Sequence, residues 1–404
     1  MAVSESFTTL IHGDLVTPGG VRQDTPLTWD ANGRLVAVGE EASGNAEVID
    51  VSGCLVVPGF INLHVHGGSG VDFLDGTVDA LERLAIDQAS QGVTAFLPTT
   101  ASAPQEKLLH AGRTLNDYTD DAGKGARIAG WYVEGPYLNP VKCGAQNPVY
   151  LRDPSWEEYR AWQDASGNRV RVVAMAPECD PQGDFIRRLT EDGVITAAAH
   201  TDADYPTALN AIAAGLSQAT HTFNAMSHFD YRSPRILEAL LETERVMLEI
   251  IPDCTEIPHV HPVAIRLLER TVGSKRLCAV TDAISASGMP DGEYALGDMA
   301  VIKDGEMAYL KDAREREGAK QLAGSVLQMN RAFGNLVDKV GFSIVQASQM
   351  CSLNPARVLG VEDEYGTLER GKTADVTVLD AQSFEVRYTF RDGVRIYQDT
   401  DLSQ

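Results

Sequence analysis

Short apolar, β-branched runs recur along the middle of the chain and constrain its fold more than any other feature of the sequence. Helix-like segments such as "TVDALERLAIDQAS", "PQEKLLHAGRTL" and "HPVAIRLLER" separate them. Strands that alternate with helices are typical of parallel sheets, and eight such repeats predict an α/β protein with a (β/α)8 TIM-like barrel. The runs are "FINLHVH", "VTAFLPTT", "IAGWYVEGP", "VRVVAMAPE", "VITAAAH", "SQATHTFNAM", "VMLEIIPD" and "LCAVTDA". The segments "SVLQMNRAFGNLV" and "SIVQASQMCSLNPARVLG" are predicted to be closing helices.

The two ends of the chain have a different sequence pattern from the middle. Residues 6–50 contain short strand-like segments broken by "PGG" and "ANG", and "DVTVLD", "FEVRYTF" and "VRIYQ" near the C-terminus have the same character. Neither end has enough strands to be stable alone, so we expect both termini to pair into one small β-sandwich. The predicted division is residues 1–55 and 363–404 for the sandwich and residues 56–362 for the barrel.

Side chains that can bind a metal end five of the eight runs. A barrel gathers its functional groups at the C-terminal ends of its strands, so these side chains are expected to converge. Any one of them alone is compatible with a hydrogen-bonded structural residue, but five strand ends together predict a site. They are His64 and His66 in the first run, Glu134 in the third, His200 in the fifth, His221 in the sixth and Asp282 in the eighth.

Histidine and carboxylate ligands without neighbouring thiolates suit Zn²⁺, with Fe²⁺ as the alternative, in a catalytic site. His64 and His66 point to the same face of a strand and can share one cation. Glu134 can ligate one ion or bridge two, so one or two ions per chain remain open. Asp282, at the end of "AVTDA", is placed to accept a proton from an activated water.

The charge and composition of the chain limit which partners it can bind and indicate its cellular compartment. The net charge of −23 argues against nucleic acid and anionic membranes, and it requires a locally basic pocket for any anionic substrate. The N-terminal "MAVSESFTTLIHGDL" does not read as a signal peptide, and no apolar stretch is long enough for a membrane span. The six scattered cysteines form no CxxC pair. We therefore expect a cytoplasmic protein with reduced cysteines.

Motifs along nearly the whole chain resemble those of the N-acetylglucosamine-6-phosphate deacetylases of the amidohydrolase superfamily. The segment "VVPGFINLHVHGG" is shared widely across amidohydrolases, whereas "EGP…GAQNP", "THTFNAM" and "TDA…GMPDG" are much more specific. The resemblance implies a barrel with a sandwich built from both termini. It also implies a metal-dependent enzyme that hydrolyses the N-acetyl group of N-acetylglucosamine 6-phosphate to give glucosamine 6-phosphate and acetate.

The resemblance also implies a role for each of several residues. Glu134, His200 and His221 match the principal metal ligands, and His64 and His66 match a first-strand pair that supports a second metal in some members. Asp282 matches the catalytic acid and base. Arg232 and His259 match a phosphate-binding pair, in which the arginine reaches in from the partner subunit of a homodimer. The positions that match the amino-sugar pocket are Ala145, Gln146, Asn224, Ala225, Leu322, Ala323 and Gly324.

Two departures from the family pattern leave alternatives open. The family usually has Arg-Glu-Pro-Gly after the sixth strand, but this chain has "YRSPR", in which Arg232 and Arg235 are both able to bind phosphate. The loop "IPDCTEIPHVH" is longer than usual, which makes His261 a rival to His259. The substrate can therefore be the galactosamine epimer or another N-acyl amino sugar. Lys142 is ambiguous, and a non-catalytic binding module is the remote alternative.

Overall fold

The computed structural model describes residues 6–40, 45–121, 123–312 and 321–400. These residues form a parallel barrel, a β-sandwich and a small antiparallel sheet beside the open end of the barrel. Within the described ranges, no helix is long and apolar enough to cross a lipid bilayer. The predicted fold class is confirmed.

The N-terminal segment supplies strands to both sheets of the sandwich. The strands are β1 (Ser6–Ile11), β2 (Asp14–Thr17), β3 (Gly20–Arg22), β4 (Leu27–Asp30), β5 (Leu35–Val38), β6 (Asn45–Asp50) and β7 (Cys54–Pro58). Four of them form one sheet in the order β5-β4-β1-β6, and the other three belong to the second sheet.

Eight parallel strands follow in the order that the apolar runs predict. Each pairs with the next along the chain, and the barrel closes where Val65 bridges Ala283 and the Asp282 amide donates to the His64 carbonyl at 2.9 Å. The barrel strands are β8 (Phe60–Val65), β11 (Val93–Thr100), β13 (Trp131–Glu134), β14 (Val170–Met175), β15 (Ile195–Ala198), β16 (Gln218–Ala219), β17 (Met247–Ile250) and β18 (Leu277–Ala279). Two-residue strands lie beside them, namely β9 (Gly67–Gly68), β10 (Val71–Asp72) and β12 (Arg127–Ile128).

Helices connect the barrel strands and cover them from outside. The first begins where the Thr77 hydroxyl accepts the Ala80 amide, and it buries Leu81, Leu84 and Ala85 on one face. The helices are α1 (Val78–Ser90), α2 (Gln105–Asp117), α3 (Trp156–Ser166), α4 (Asp184–Glu191), α5 (Tyr205–Ala214), α6 (Ile236–Glu242), α7 (Pro262–Val272), α8 (Met329–Asn335), α9 (Ile344–Ser348) and α10 (Asn354–Leu359). Leu336–Val340 continues α8 and Gln349–Leu353 joins α9 to α10 as π-helical turns.

The start predicted for the first closing helix is wrong. The sequence predicts a helix from Ser325, but α8 begins at Met329. The Ser325 amide donates to the Asp282 carbonyl at 2.7 Å, and the Ile284 amide donates to the Ser325 carbonyl at 3.0 Å. These bonds hold the segment extended against the end of β18, which overrides its helix propensity.

A three-stranded antiparallel sheet between β18 and α8 is not predicted by the sequence. It consists of β19 (Gly292–Leu296), β20 (Met299–Asp304) and β21 (Met307–Leu310). Its strands are short, and β19 and β20 are mostly only partly buried, so they lack the continuous apolar character that reveals the barrel strands. Leu296, at the end of β19, reaches the rim of the pocket described below.

The C-terminal strands complete the sandwich. They are β22 (Val376–Asp380), β23 (Val386–Arg391) and β24 (Val394–Gln398). The second sheet has the order β24-β23-β22-β7-β2-β3, so strands from both ends of the chain share it. The sandwich encloses its own core, which includes Leu15, Trp29 and Phe390. The division at residues 55/56 and 362/363 stays a prediction.

Candidate active site

A pocket of about 400 Å³ opens at the C-terminal ends of the barrel strands. His66, Glu134, His200, His221 and Asp282 all line it. The barrel thus brings together side chains that are far apart in the sequence, because parallel strands end at the same rim.

The backbone turns sharply where three of these residues stand. His200, His221 and Asp282 follow β15, β16 and β18 and have φ values of 45°, 30° and 50°. Non-glycine residues rarely adopt this left-handed conformation, which costs about 1–3 kcal/mol at each position. Strain of this kind persists where the surrounding structure holds a residue for a function, and here it turns each side chain into the pocket.

Glu134 is the centre of the site. Its Oε1 lies 3.2 Å from the Nε2 of His200 and 2.9 Å from the Nε2 of His221. Its Oε2 lies 3.3 Å from the Nε2 of His66 and 3.8 Å from the Nε2 of His64. Each carboxylate oxygen therefore faces one pair of imidazoles.

The tautomers of two histidines follow from their other contacts. The Nδ1 of His66 lies 3.1 Å from the Thr99 carbonyl, and the Nδ1 of His200 lies 2.9 Å from the Lys142 carbonyl. A carbonyl oxygen only accepts, so each Nδ1 donates its hydrogen and the Nε2 of each ring, which faces Glu134, is left to bind a proton or a metal ion.

Imidazole nitrogens held this close to one another and to a carboxylate favour a positive charge between them, as a proton or a cation. The Nε2 atoms of His64 and His66 are 3.3 Å apart, and those of His200 and His221 are 3.2 Å apart. Two groups result, His64–His66–Glu134 and Glu134–His200–His221, in each of which the ligand atoms lie within 4.8 Å of one another. The donor set of nitrogen and carboxylate oxygen fits a divalent cation in either group.

Electrostatics lead to the same conclusion. Burial opposes ionisation of Glu134, but the charge of His64 and hydrogen bonds from His200 and His221 hold the pKa of this carboxyl well below its usual value. Burial alone would lower the pKa of His221, yet its hydrogen bond to Glu134 raises it to about 9. The site favours positive charge, which protons or a metal ion can supply.

Asp282 extends this site toward the pocket. Its Oδ1 lies 3.2 Å from the Nε2 of His66 and 3.4 Å from that of His64. Burial opposes ionisation, but the charge of His64 and the hydrogen bond from His66 lower the pKa of Asp282. Burial alone would lower the pKa of His66, whereas Asp282 and Glu134 raise it well above its usual value. The carboxylate of Asp282 is therefore ionised at neutral pH and able to accept a proton.

Comparisons with known proteins identify the family of the chain. Residues 55–396 match the amidohydrolase family. The chain belongs to the amidohydrolase family. It is 34% identical to the N-acetylglucosamine-6-phosphate deacetylase of Vibrio furnissii over 93% of this chain and 92% of that one. It is 36% identical to the N-acetylgalactosamine-6-phosphate deacetylase of Escherichia coli O157:H7 over 81% of this chain and 84% of that one.

A solved structure extends the likeness to the whole fold. The N-acetyl-D-glucosamine-6-phosphate deacetylase of Mycobacterium smegmatis superposes with a TM-score of 0.86 at 33% identity, over 97% of this chain and 100% of that one. The resemblance inferred from the sequence motifs is confirmed, and this chain is a metal-dependent amidohydrolase.

The amidohydrolase pocket contains most of the residues that the sequence assigned to the sugar. Its walls include Ala145, Gln146, Asn224, Ala225, Leu322 and Gly324. Ala323 is fully buried behind the wall and does not line the pocket, because the segment is extended and its side chain points into the core. Gln146 also supports Glu134, since its Nε2 donates to the Glu134 Oε2 at 2.7 Å while its Oε1 accepts the Ser102 amide at 2.6 Å.

The two rival histidines of the long loop lie in different places. His259 lines the pocket, and its Nδ1 lies 2.7 Å from the Oδ2 of Asp253, a buried carboxylate that also accepts the His259 amide. His261 is exposed and begins α7, where its Nδ1 accepts the Val263 amide at 3.2 Å. Of these two histidines, both within the described chain, only His259 faces the pocket.

The basic residues near the pocket are also separated. Arg232 is exposed, lies 5.2 Å from the ring of Tyr231 and does not line the pocket of its own chain. Arg235 is held by Asp202, with Nη1 2.7 Å from Oδ2. Lys142 lines the pocket, with its Nζ 3.5 Å from Asp202. Among the described residues that line this pocket, Lys142 is the one lysine or arginine.

Sequence reasoning misses Glu249, a fully buried carboxylate of β17 that contacts His64 and the backbone of His221. A signal is present, because an acidic residue in the middle of the apolar run "VMLEIIPD" is unexpected in a strand buried on both faces. The prediction from strand ends considers only the last residues of each apolar run, whereas Glu249 lies in the middle of its run.

Proposed function

We propose that this amidohydrolase removes the N-acetyl group of N-acetylglucosamine 6-phosphate, yielding glucosamine 6-phosphate and acetate in amino-sugar metabolism. The observation that carries the proposal is the convergence of Glu134, four imidazoles and Asp282 at one end of the barrel, where all of them except the fully buried His64 line one pocket. The relatives whose names specify this substrate span nearly the whole chain, which supports the proposal.

Hydrolysis of an amide needs an activated water and a proton for the departing amine. A bound divalent cation would lower the pKa of a water molecule and polarise the amide carbonyl. Glu134 would hold that cation with His200 and His221. Asp282, ionised and open to the pocket, accepts the proton of the attacking water and returns it to the amine nitrogen, which otherwise leaves poorly.

The remaining pocket residues are proposed to bind the sugar and its phosphate. His259 is oriented by Asp253 and is our candidate for a substrate contact in preference to His261. Arg232 is proposed to reach the phosphate in the neighbouring subunit of a homodimer, since in its own chain it stands outside the pocket. Lys142 supplies a positive charge within the pocket against the strongly acidic background of the chain.

We also propose the identity of the metal and the cellular compartment of the protein. Zn²⁺ suits a set of imidazole and carboxylate ligands without thiolates, and Fe²⁺ is the alternative. Each of the two groups brings together three side chains that could hold an ion, which supports two ions per chain. We expect the protein to act in the cytoplasm, where its six cysteines stay reduced.

A second candidate substrate is N-acetylgalactosamine 6-phosphate. The chain is 36% identical to a deacetylase named for this epimer, and "YRSPR" after the sixth strand departs from the usual family sequence. The two sugars differ only in the orientation of one hydroxyl, which a few pocket contacts decide.

The test measures kcat/KM for four compounds, N-acetylglucosamine and N-acetylgalactosamine, each with and without the 6-phosphate. We expect the phosphorylated glucosamine epimer to be preferred over each of the others by at least about tenfold. Lys142→Met should raise KM for the phosphorylated sugar, whereas Lys142→Arg should retain most of the affinity. A preference for the galactosamine epimer selects the second candidate, and no turnover of any of the four overturns the proposal.

A further inference from the structure

A second buried carboxylate, Glu249, lies behind the two metal groups. Its side chain is fully buried in the middle of β17, and neither metal group found among the described residues includes it. A buried carboxylate is strongly destabilising unless hydrogen-bond donors surround it. Its contacts therefore indicate what it does there.

Three donors satisfy Glu249, and two of them belong to metal-group histidines. Its Oε2 accepts from the Nδ1 of His64 at 3.1 Å and from the backbone amide of His221 at 3.2 Å. Its Oε1 accepts from the Nε2 of Gln218. One carboxylate thus contacts a side chain of the first group and the backbone of the second.

The contact with His64 determines which ring nitrogen can bind a metal. A histidine that ligates through Nε2 must carry its hydrogen on Nδ1, and the Oε2 of Glu249 lies 3.1 Å from that nitrogen, where it can accept the hydrogen. The Nε2 of His64 then has a free lone pair with which to bind a metal, 3.3 Å from the Nε2 of His66. A carboxylate behind an imidazole also makes the ring a stronger ligand.

The other imidazoles lack this arrangement. The Nδ1 atoms of His66 and His200 donate to backbone carbonyls, and the Nδ1 of His221 has no hydrogen-bond partner among the described residues. The carboxylate behind His64 therefore distinguishes the first metal group from the second.

We propose that Glu249 is a positioning residue for a second metal ion. It holds His64 in the tautomer that can ligate, and this favours binding of an ion at His64, His66 and Glu134. This inference rests on the metal centre of the proposed function and concerns how many ions that centre retains. Glu249 does not line the pocket, and it contacts the group of Glu134, His200 and His221 only through the backbone amide of His221, which a glutamine oxygen can also accept.

The test is a titration of the metal-free full chain with Co²⁺, followed by visible absorption and elemental analysis in the absence of substrate. The wild type should bind two ions in separate steps. Glu249→Gln keeps the shape of the side chain but removes its charge and lets the amide present either atom to His64. This variant should lose affinity for one ion by about 10- to 100-fold while the other step changes little.

The matched control is Asp87→Asn, which neutralises another buried carboxylate, one that accepts hydrogen bonds from Ser69 and Gln91, neither of which belongs to a metal group. It should bind two Co²⁺ ions as the wild type does. If Glu249→Gln does not fold, Glu249→Asp, whose carboxylate falls short of His64, should show the same selective loss.

Two results overturn the proposal. One is wild-type affinity for both ions in Glu249→Gln, and the other is a wild type that binds only a single ion. Neither depends on the sugar, because no substrate is present. If the wild type bound two ions but did not deacetylate the sugar, the proposed function would be contradicted and the role of Glu249 would stand.

Discussion

At the scale of single residues, the two carboxylates of the pocket are suited to different tasks. Both oxygens of Glu134 are occupied by imidazoles and by Gln146, and its side chain is only 2% exposed. Asp282 is 10% exposed and contacts the imidazoles through Oδ1. The contacts of Glu134 therefore suit the proposed ligand, which has no freedom to carry protons, whereas Asp282 can exchange them with a substrate in the pocket.

Asp282→Asn tests whether Asp282, and not Glu134, transfers the protons. The amide cannot accept the proton of the water, so kcat should fall by about 10²- to 10⁴-fold. The metal group of Glu134, His200 and His221 is untouched, so elemental analysis should still find an ion there. The control Asp87→Asn should keep wild-type kcat. Substantial turnover in Asp282→Asn would rule out its role as acid and base.

At the scale of elements, the segment after β21 holds the end of β18 in place. Gly324 has a φ of 54°, and a Cβ there would lie 2.5 Å from the Cγ2 of Ile284 and 2.9 Å from the Asp282 carbonyl. The neighbouring Ser325 amide donates to that same carbonyl. Glycine is required here both for the backbone conformation and for the close approach of two segments.

Gly324→Ala should displace Asp282 and thereby lower both activity and stability. The control is Gly305→Ala, at a similar φ of 61° but with no atom within 4 Å of its added methyl. Backbone strain should cost each variant about 1–2 kcal/mol, measured by urea denaturation. Overpacking should cost Gly324→Ala a further 1–3 kcal/mol or so, with a fall in kcat of about tenfold or more. Equal effects in the two variants would mean that the contact with Asp282 is unimportant.

At the scale of the whole molecule, ion pairs with buried or partly buried members join the sandwich to the barrel. Arg127, next to the N-terminal end of β13, donates to Asp375 at 2.8 Å and to Asp392 at 2.7 Å. Burial opposes the charge, but Asp375 keeps the pKa of Arg127 above its usual value. Arg391 donates to Asp120 at 2.7 and 2.8 Å across the same boundary. The sandwich thus stabilises the barrel at the end opposite the pocket.

Arg127→Met should lower the free energy of unfolding by about 3 kcal/mol, because it leaves the buried Asp375 charge without its partner. The comparison is Arg34→Met, which removes an exposed ion pair with Glu364 and should cost about 1 kcal/mol or less. Urea denaturation measures both. Because Arg127 is remote from the pocket, kcat should not change, and equal losses of stability in the two variants would contradict a structural role for this boundary.

Much of this architecture could be predicted from the sequence, because its signals are local. A strand buried on both faces needs a continuous apolar run, and the chemistry of a barrel gathers at the residues that end such runs. The ends of the runs are where His64, Glu134 and Asp282 stand. The same reasoning fails for α8, because the residues ahead of its start are bonded to the end of β18. It also fails for the small sheet, because its short, partly buried strands carry no continuous apolar run.

The sequence by itself determined the barrel, the sandwich shared by both termini and the set of residues with metal-binding side chains. The tertiary structure alone decided how these residues meet: that Glu134 presents one oxygen to each pair of imidazoles, that His259 rather than His261 faces the pocket, and that Glu249 supports His64. The physical reason is distance. Periodicity and residue type act over a few neighbours, whereas hydrogen bonds and metal ligation depend on which atoms barrel closure brings within about 3 Å of one another.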